Sequence, residues 1–335
     1  MTAITGFIES GPALIAWVVM VIAFAVLAKA ADFFVETAVA IAERLKVPKV
    51  IIGIVLVSLA TTAPELCVSV MSAVRGNPEM ALGNAIGSVI CNCGLALALC
   101  GALSAAPIAV MTGVLKVSGS FLLGSALLTF AFVCRDLSLD RWEGLTLLAV
   151  FCIYLGVLFR QHRSGKLRQN MDLDTLEEDV AKPMSWLLPV FLLALGGILL
   201  SSRFVVISAV TIARTMSVPE SVIALTLVAL GTSIPEVATS IIAARKGHGD
   251  LSIGNILGAN MMNICWVAGA SSVVNSLTLG AREIFFMFPA MFVILGATLV
   301  VLKSRSQFSR RDGILLFALY IIYLASFLLV FRPTG

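Results

Sequence analysis

Apolar runs of roughly 20 residues, the length a bilayer demands, recur along the whole chain with only short polar breaks between them. They predict ten membrane-spanning helices, at about 12–42, 49–74, 79–101, 117–134, 142–160, 184–213, 219–245, 250–274, 283–302 and 312–331. The first and sixth exceed one bilayer thickness, so they must tilt or project beyond it. Only 161–183 reads as a soluble connector: it is polar and carries the acidic run Asp172, Asp174, Glu177, Glu178 and Asp179. The expected fold is therefore an all-α polytopic membrane protein with five helices in 1–160, a cytoplasmic linker at 161–183, and five helices in 184–335.

The two halves repeat one pattern. Residues 48–92 and 219–263 align without a gap at an offset of 171, with 15 identities in 45 positions. The first copy holds Ala60-Thr61-Thr62-Ala63-Pro64-Glu65, then Gly83-Asn84-Ala85-Ile86-Gly87-Ser88, then Asn92. The second holds Gly231-Thr232-Ser233-Ile234-Pro235-Glu236, then Gly254-Asn255-Ile256-Leu257-Gly258-Ala259, then Asn263. Five helices per half is an odd number, so the halves enter the membrane with opposite orientations. This predicts inverted repeats about a pseudo-two-fold axis in the membrane plane, with Glu65 and Glu236 meeting near its middle.

Composition narrows the function class. The chain is 59% hydrophobic and 13% charged, with a mean hydropathy of +1.04; a soluble domain would carry roughly twice that charge. The net charge of +4 has no basic stripe with interleaved aromatics behind it, so no nucleic-acid partner is expected, and no obligate protein partner is evident. Lys and Arg set orientation. With the N-terminus outside, 15 of them fall on the inward side and 6 on the outward side, while Lys29 and Arg203 lie inside helices. Both termini are therefore expected outside the cytoplasm. The opening residues lack the features of a cleaved signal peptide, so the first apolar segment is expected to be a retained span. The seven cysteines lie in apolar segments without a C-x-x-C pair, and the two histidines, His162 and His248, lie in loops. Zinc chemistry has no footing in that pattern.

A carboxylate in the hydrocarbon layer is costly unless it is paired or bound, so Glu65 and Glu236 mark a functional site. Pro64 has no N–H and leaves the Ala60 carbonyl without its helical donor, and Pro235 does the same to Gly231. A cation can take up such freed carbonyls. Thr61 and Thr62 lie four and three residues before Glu65 and share its helix face, so each half presents a carboxylate, hydroxyls and loosened carbonyls together. Hard oxygens in flexible geometry suit Ca2+, which takes about six to eight of them, and they also suit Na+. Ser88 and Asn92 share a face one helix further on, matched by Ala259 and Asn263. Gly83-x-x-x-Gly87 and Gly254-x-x-x-Gly258 let helices approach closely. Asn84 and Asn255 read as hydrogen-bonding residues between helices rather than ion ligands.

The bland reading of the two glutamates, as hydrogen-bonding glue, fits one such residue better than two at equivalent positions. Lys29, Asp32 and Glu36 have no like-charged copies (they map to Leu200, Arg203 and Ile207) and read as structural or gating-adjacent. A channel is disfavoured because two anions built for tight binding suit occlusion better than conduction. An intramembrane enzyme would need a positioned nucleophile and base, and the hydroxyls near Glu65 have no His or Lys beside them.

These motifs resemble the cation/Ca2+ exchanger superfamily, and within it the compact prokaryotic sodium/calcium exchangers, whose signature is two inverted repeats of G-T-S-x-P-E followed by G-N-x-x-G-S-N-x-x-N/D. The resemblance implies Na+/Ca2+ antiport by alternating access, with no cofactor beyond the transported ions. Glu65 and Glu236 would be the central Ca2+ ligands, helped by Thr61 and Thr232. Thr62, Ser233, Ser88, Asn92 and Asn263 would complete the Na+ sites and polar centre, with backbone carbonyls near Ser58 and Ala229. The first and sixth helices would slide across the other eight. Four departures stand out: Ala60-Thr61-Thr62 replaces Gly-Thr-Ser, Val89 replaces an asparagine, Asn263 replaces the aspartate of K+-dependent relatives, and Ala259 replaces a serine. The missing hydroxyl at Ala259 keeps H+/Ca2+ exchange open as the alternative, with a proton on Glu65 or Glu236 in place of Na+.

Overall fold

A computed structural model describes residues 13–164, 182–216, 228–304 and 306–331. Most of the linker and the start of the seventh expected span (217–227) lie outside the described residues. The rest is helical apart from four two-residue strands. In order the elements are α1 (Ala13–Leu45), α2 (Lys49–Thr61), α3 (Ala63–Val74), α4 (Pro78–Leu103), β1 (Ile108–Ala109), α5 (Thr112–Asp136), β2 (Ser138–Leu139), α6 (Arg141–Arg163), α7 (Met184–Thr215), α8 (Val228–Thr232), α9 (Ile234–Arg245), α10 (Gly249–Val274), β3 (Leu277–Thr278), α11 (Ala281–Ser304), β4 (Gln307–Phe308) and α12 (Arg310–Val330). Among the described residues eight helices are long and apolar enough to cross a membrane, nine if the bent pair α2–α3 is one span. That pair, expected as one helix over 49–74, bends by 44° at Thr62, where Pro64 denies a donor to the preceding turn.

Burial sorts the helices into layers. The apolar stretches of α4 and α10 are 72% and 83% buried, against 22% for α1 and α12, so α4 and α10 form the centre. Close approach makes this possible: a methyl on Gly254 would overlap the Val50 carbonyl, and one on Gly258 the Ile54 carbonyl and Ser58 hydroxyl.

The two longest helices form a layer of their own. On α7 the buried residues Leu187, Phe191, Ala194, Ile198, Ser201, Val205, Ser208 and Ile212 alternate at spacings of three and four, the seam of a coiled-coil-like pair. Leu27, Ala31, Phe34, Ala38 and Ile41 do the same on α1. Phe34 stacks on Phe191 at 4.4 Å between ring centroids, while Gly197 lies beside Ala30 and Ile212 beside Ala16. The helices therefore run antiparallel. Their cluster is separate from the main core and meets it through Ile52, Val57, Ala243 and Leu251.

The last helix of each half begins alike. Asp140 and Glu143 form a capping box at the start of α6, and Ser309 and Asp312 form one at the start of α12; in each the N-cap backbone N–H donates to the acidic side chain at 2.9 Å. The strands before these helices pair across the halves, β1 with β4 and β2 with β3, both antiparallel. Several Lys and Arg, among them Arg44, Lys116, Arg160 and Lys303, lie toward helix ends.

Candidate functional site

Glu65 and Glu236 each occupy the third position of a helix that starts just after a one-residue break, α3 and α9. A helix N-terminus favours negative charge, so the broken backbone stabilises both carboxylates. The residues in N-cap position are Thr62 and Ser233, which ordinarily would turn their hydroxyls onto their own helix. Neither does so. Thr62 Oγ1 donates to Glu236 Oε1 at 3.0 Å, and Ser233 Oγ donates to Glu65 Oε1 at 3.2 Å. Each cap hydroxyl thus serves the carboxylate of the other half.

A second pair of crossed contacts lies beside the first. Thr232 Oγ1 donates to Asn84 Oδ1 at 3.1 Å, and Thr61 Oγ1 donates to Asn255 Oδ1 at 3.4 Å. The asparagine amides point outward from the centre: Asn84 Nδ2 donates to Ser69 at 3.0 Å, and Asn255 Nδ2 to Ser240 at 2.9 Å. Both asparagines therefore tie helices together, as their sequence context suggested. Ser69 and Ser240 were missed as site residues, although they are an identical pair in the repeat alignment, four residues after each glutamate.

Asn92 and Asn263 fall in short π-helical turns, Asn92–Ala96 and Met262–Val267, a distortion often found at functional sites. Both are fully buried, and neither polar atom of either amide has a hydrogen-bond partner. The Oε2 atoms of Glu65 and Glu236 are likewise buried and without a partner. Six orphaned polar atoms, four of them oxygens, sit among residues aligned by the repeat. A buried polar atom without a partner costs about 1–3 kcal/mol, more when charged. Carboxylate, amide and hydroxyl oxygens are hard donors, the kind that Ca2+ and Na+ prefer.

The halves are not identical here. Ser88 Oγ lies 3.1 Å from Ser233 Oγ. With one proton to give, the Ser233 hydroxyl is shared between the two acceptors, Glu65 Oε1 and Ser88 Oγ. The position that aligns with Ser88 in the second half is Ala259, fully buried and without a hydroxyl. Ser58 is buried but turned away: its hydroxyl donates to the Ile54 carbonyl and its carbonyl accepts the Thr62 N–H at 2.8 Å. Ala229 lies in α8.

The family model described as sodium/calcium exchanger protein matches residues 15–160 and 186–329. The sodium/calcium exchanger MaX1 of Methanosarcina acetivorans is 28% identical over 92% of this chain and 97% of its own length. The inner membrane protein YrbG of Escherichia coli is 30% identical over 93% and 96%. Among solved structures, the sodium-calcium exchanger NCX_Mj soaked with Na+ and Sr2+ superposes with a TM-score of 0.78 at 27% identity, covering 94% of this chain and 99% of that one. With eight or nine apolar spans among the described residues, the chain is a multi-pass membrane protein.

Proposed function

Because this chain belongs to the sodium/calcium exchanger protein family, we propose that it is a secondary active antiporter of the plasma membrane, exchanging Na+ for Ca2+, and not an enzyme. The observation that carries the reading to this chain's own residues is the set of orphaned atoms at Glu65, Glu236, Asn92 and Asn263. Two glutamates supply the charge that one Ca2+ needs. Thr61 and Thr232 complete its shell. Thr62, Ser233, Ser88 and the two asparagines hold Na+ when Ca2+ leaves, with carbonyls of the broken helices near Ser58 and Ala229 assisting.

The crossed hydrogen bonds favour two five-helix repeats of opposite orientation, 1–160 and 184–335, joined by the 161–183 linker and completing ten spans. The Lys and Arg distribution then puts both termini outside the cytoplasm. Alternating access follows if the α1–α7 pair, which has its own apolar cluster, shifts against the remaining helices and opens the site to one side at a time. The same glutamates could carry H+ instead of Na+, and Ala259 favours that alternative because it removes a hydroxyl from the Glu236 side.

45Ca2+ uptake into proteoliposomes separates the two. Uptake that requires internal Na+ establishes Na+/Ca2+ exchange. Uptake driven by a pH gradient alone reassigns the counter-ion to H+, and no uptake under either gradient refutes both.

A further inference from the structure

Besides the short-range pair Glu43–Lys49, a charge cluster among the described residues fastens α1 to α9. Asp32 and Glu36 lie one turn apart on α1, and Lys246, just past the end of α9, reaches both. Its Nζ is 2.6 Å from Asp32 Oδ1 and 2.6 Å from Glu36 Oε1, and Lys29 adds a contact of 3.3 Å to the other Asp32 oxygen. One ammonium therefore bridges two carboxylates across the seam between the two layers. The Lys246 and Asp32 side chains are 28% and 27% exposed, which partly shields that pair and strengthens it relative to a free surface pair, while Glu36 is 55% exposed.

The repeat does not copy this device. Shifting by 171, Lys246 corresponds to Arg75, Asp32 to Arg203 and Glu36 to Ile207. Two cations and an isoleucine cannot reproduce an ammonium held between two carboxylates. The site at the centre is nearly two-fold, while this lysine held between two carboxylates has no copy at the aligned positions.

We propose that Lys246, gripped by Asp32 and Glu36, is an ionic latch that holds α1 against α9 on one membrane face and biases the exchanger toward the state closed on that face. This rests on the alternating-access reading above. If the open state of that face is only fractionally populated, its apparent ion affinity is lowered by the same fraction, so the latch makes the two faces unequal even with a symmetric site.

The test uses the full chain in right-side-out and inside-out vesicles, with Ca2+ dependence of exchange read from each face. Lys246→Gln should raise apparent Ca2+ affinity from the Lys246 face about threefold to tenfold, the range that one partly shielded and one exposed ion pair supply together, and leave it unchanged or lower from the opposite face. Inverting the charges together, Lys246→Glu with Asp32→Lys and Glu36→Lys, should restore the wild-type asymmetry. Equal shifts at both faces, no shift, or no restoration by the inverted set would overturn the latch. Hydrogen–deuterium exchange of residues 32–45 and 246–252 gives a readout that needs no transport: Lys246→Gln should speed exchange there, and protection equal to wild type would also overturn the proposal. A wild type that moves no Ca2+ under any gradient would instead sink the exchanger reading and the transport role of the latch with it, leaving the hydrogen-exchange comparison to say whether the fastening exists.

Discussion

The two poles of the central site use the same parts and differ by one oxygen. Around Glu65 the chain Ser88–Ser233–Glu65 places two hydroxyls in series; around Glu236 the cap hydroxyl of Thr62 has no such second hydroxyl behind it, the position aligned with Ser88 being Ala259. The carboxylates, the crossed cap hydroxyls and the asparagine ties are matched. The comparison separates what a shared divalent site requires from what tunes each side. The carboxylates should be indispensable at both poles, and the hydroxyls should matter unequally.

The largest effect tests the part that is equal. Glu65→Gln and Glu236→Gln should each reduce 45Ca2+ transport about a hundredfold or more, since removing one partner from a buried charged cluster costs about 3 kcal/mol or more. Normal uptake by either variant would break the shared-site picture. The next test addresses the unequal part. Ser233→Ala removes a hydroxyl that bonds both Glu65 and Ser88, whereas Thr62→Ala removes one bond to Glu236. At about 1 kcal/mol per bond, Ser233→Ala should weaken apparent Ca2+ affinity roughly tenfold or more and Thr62→Ala roughly fivefold. Equal losses would mean that Ser88 contributes nothing through Ser233. A smaller change should come from Ala259→Ser, which gives the Glu236 pole the missing hydroxyl. It should strengthen Na+ dependence about threefold, and unchanged Na+ affinity would place residue 259 away from any Na+ site.

How much of this was readable beforehand follows the same division. Glu65 and Glu236 stood out because a charge in an apolar run has few reasons to exist, and the offset of 171 made each corroborate the other. Pro64 and Pro235 marked the carbonyls freed ahead of each glutamate, although 49–74 and 219–245 were each expected as one helix. The crossing of Thr62 to Glu236 and Ser233 to Glu65 could not be read, because local spacing puts each hydroxyl near its own helix start, where capping is the default. Only the packing of the two halves diverts it. The π-turns at Asn92 and Asn263 leave no mark in periodicity over five or six residues, and Ser58 turns inward onto Ile54 for reasons of packing. Asp32 and Glu36 were visible as unrepeated charges, but their partner Lys246 lies 210 residues or more away in sequence, beyond any local pattern.

The smallest predicted effect concerns the turn that precedes each central helix. His248 occupies the N-cap of α10, and its counterpart in the first half, at the N-cap of α4, is Asn77. One turn can therefore titrate and the other cannot. The imidazole is half buried, and burial, then the ammonium of Lys49 3.4 Å from Nδ1, hold its pKa below the ordinary histidine value of 6.5. Lys246 adds to the lowering, while Asp250 and Glu43 oppose it. Between that depressed value and 6.5 the unfolded chain binds more protons than the folded one, so stability rises with pH across the window. The stabilisation is complete above pH 6.5 and is lost as pH falls through the folded pKa. Melting of the detergent-solubilised protein between pH 7.5 and 5 should show this decline, superimposed on that of the carboxylates. His248→Asn, which copies the first half, should make the decline shallower without altering the melting temperature at pH 7.5 by more than a few degrees. An unchanged slope would show that protonation of this turn is not coupled to folding, and the two turns would then be equivalent despite their different residues.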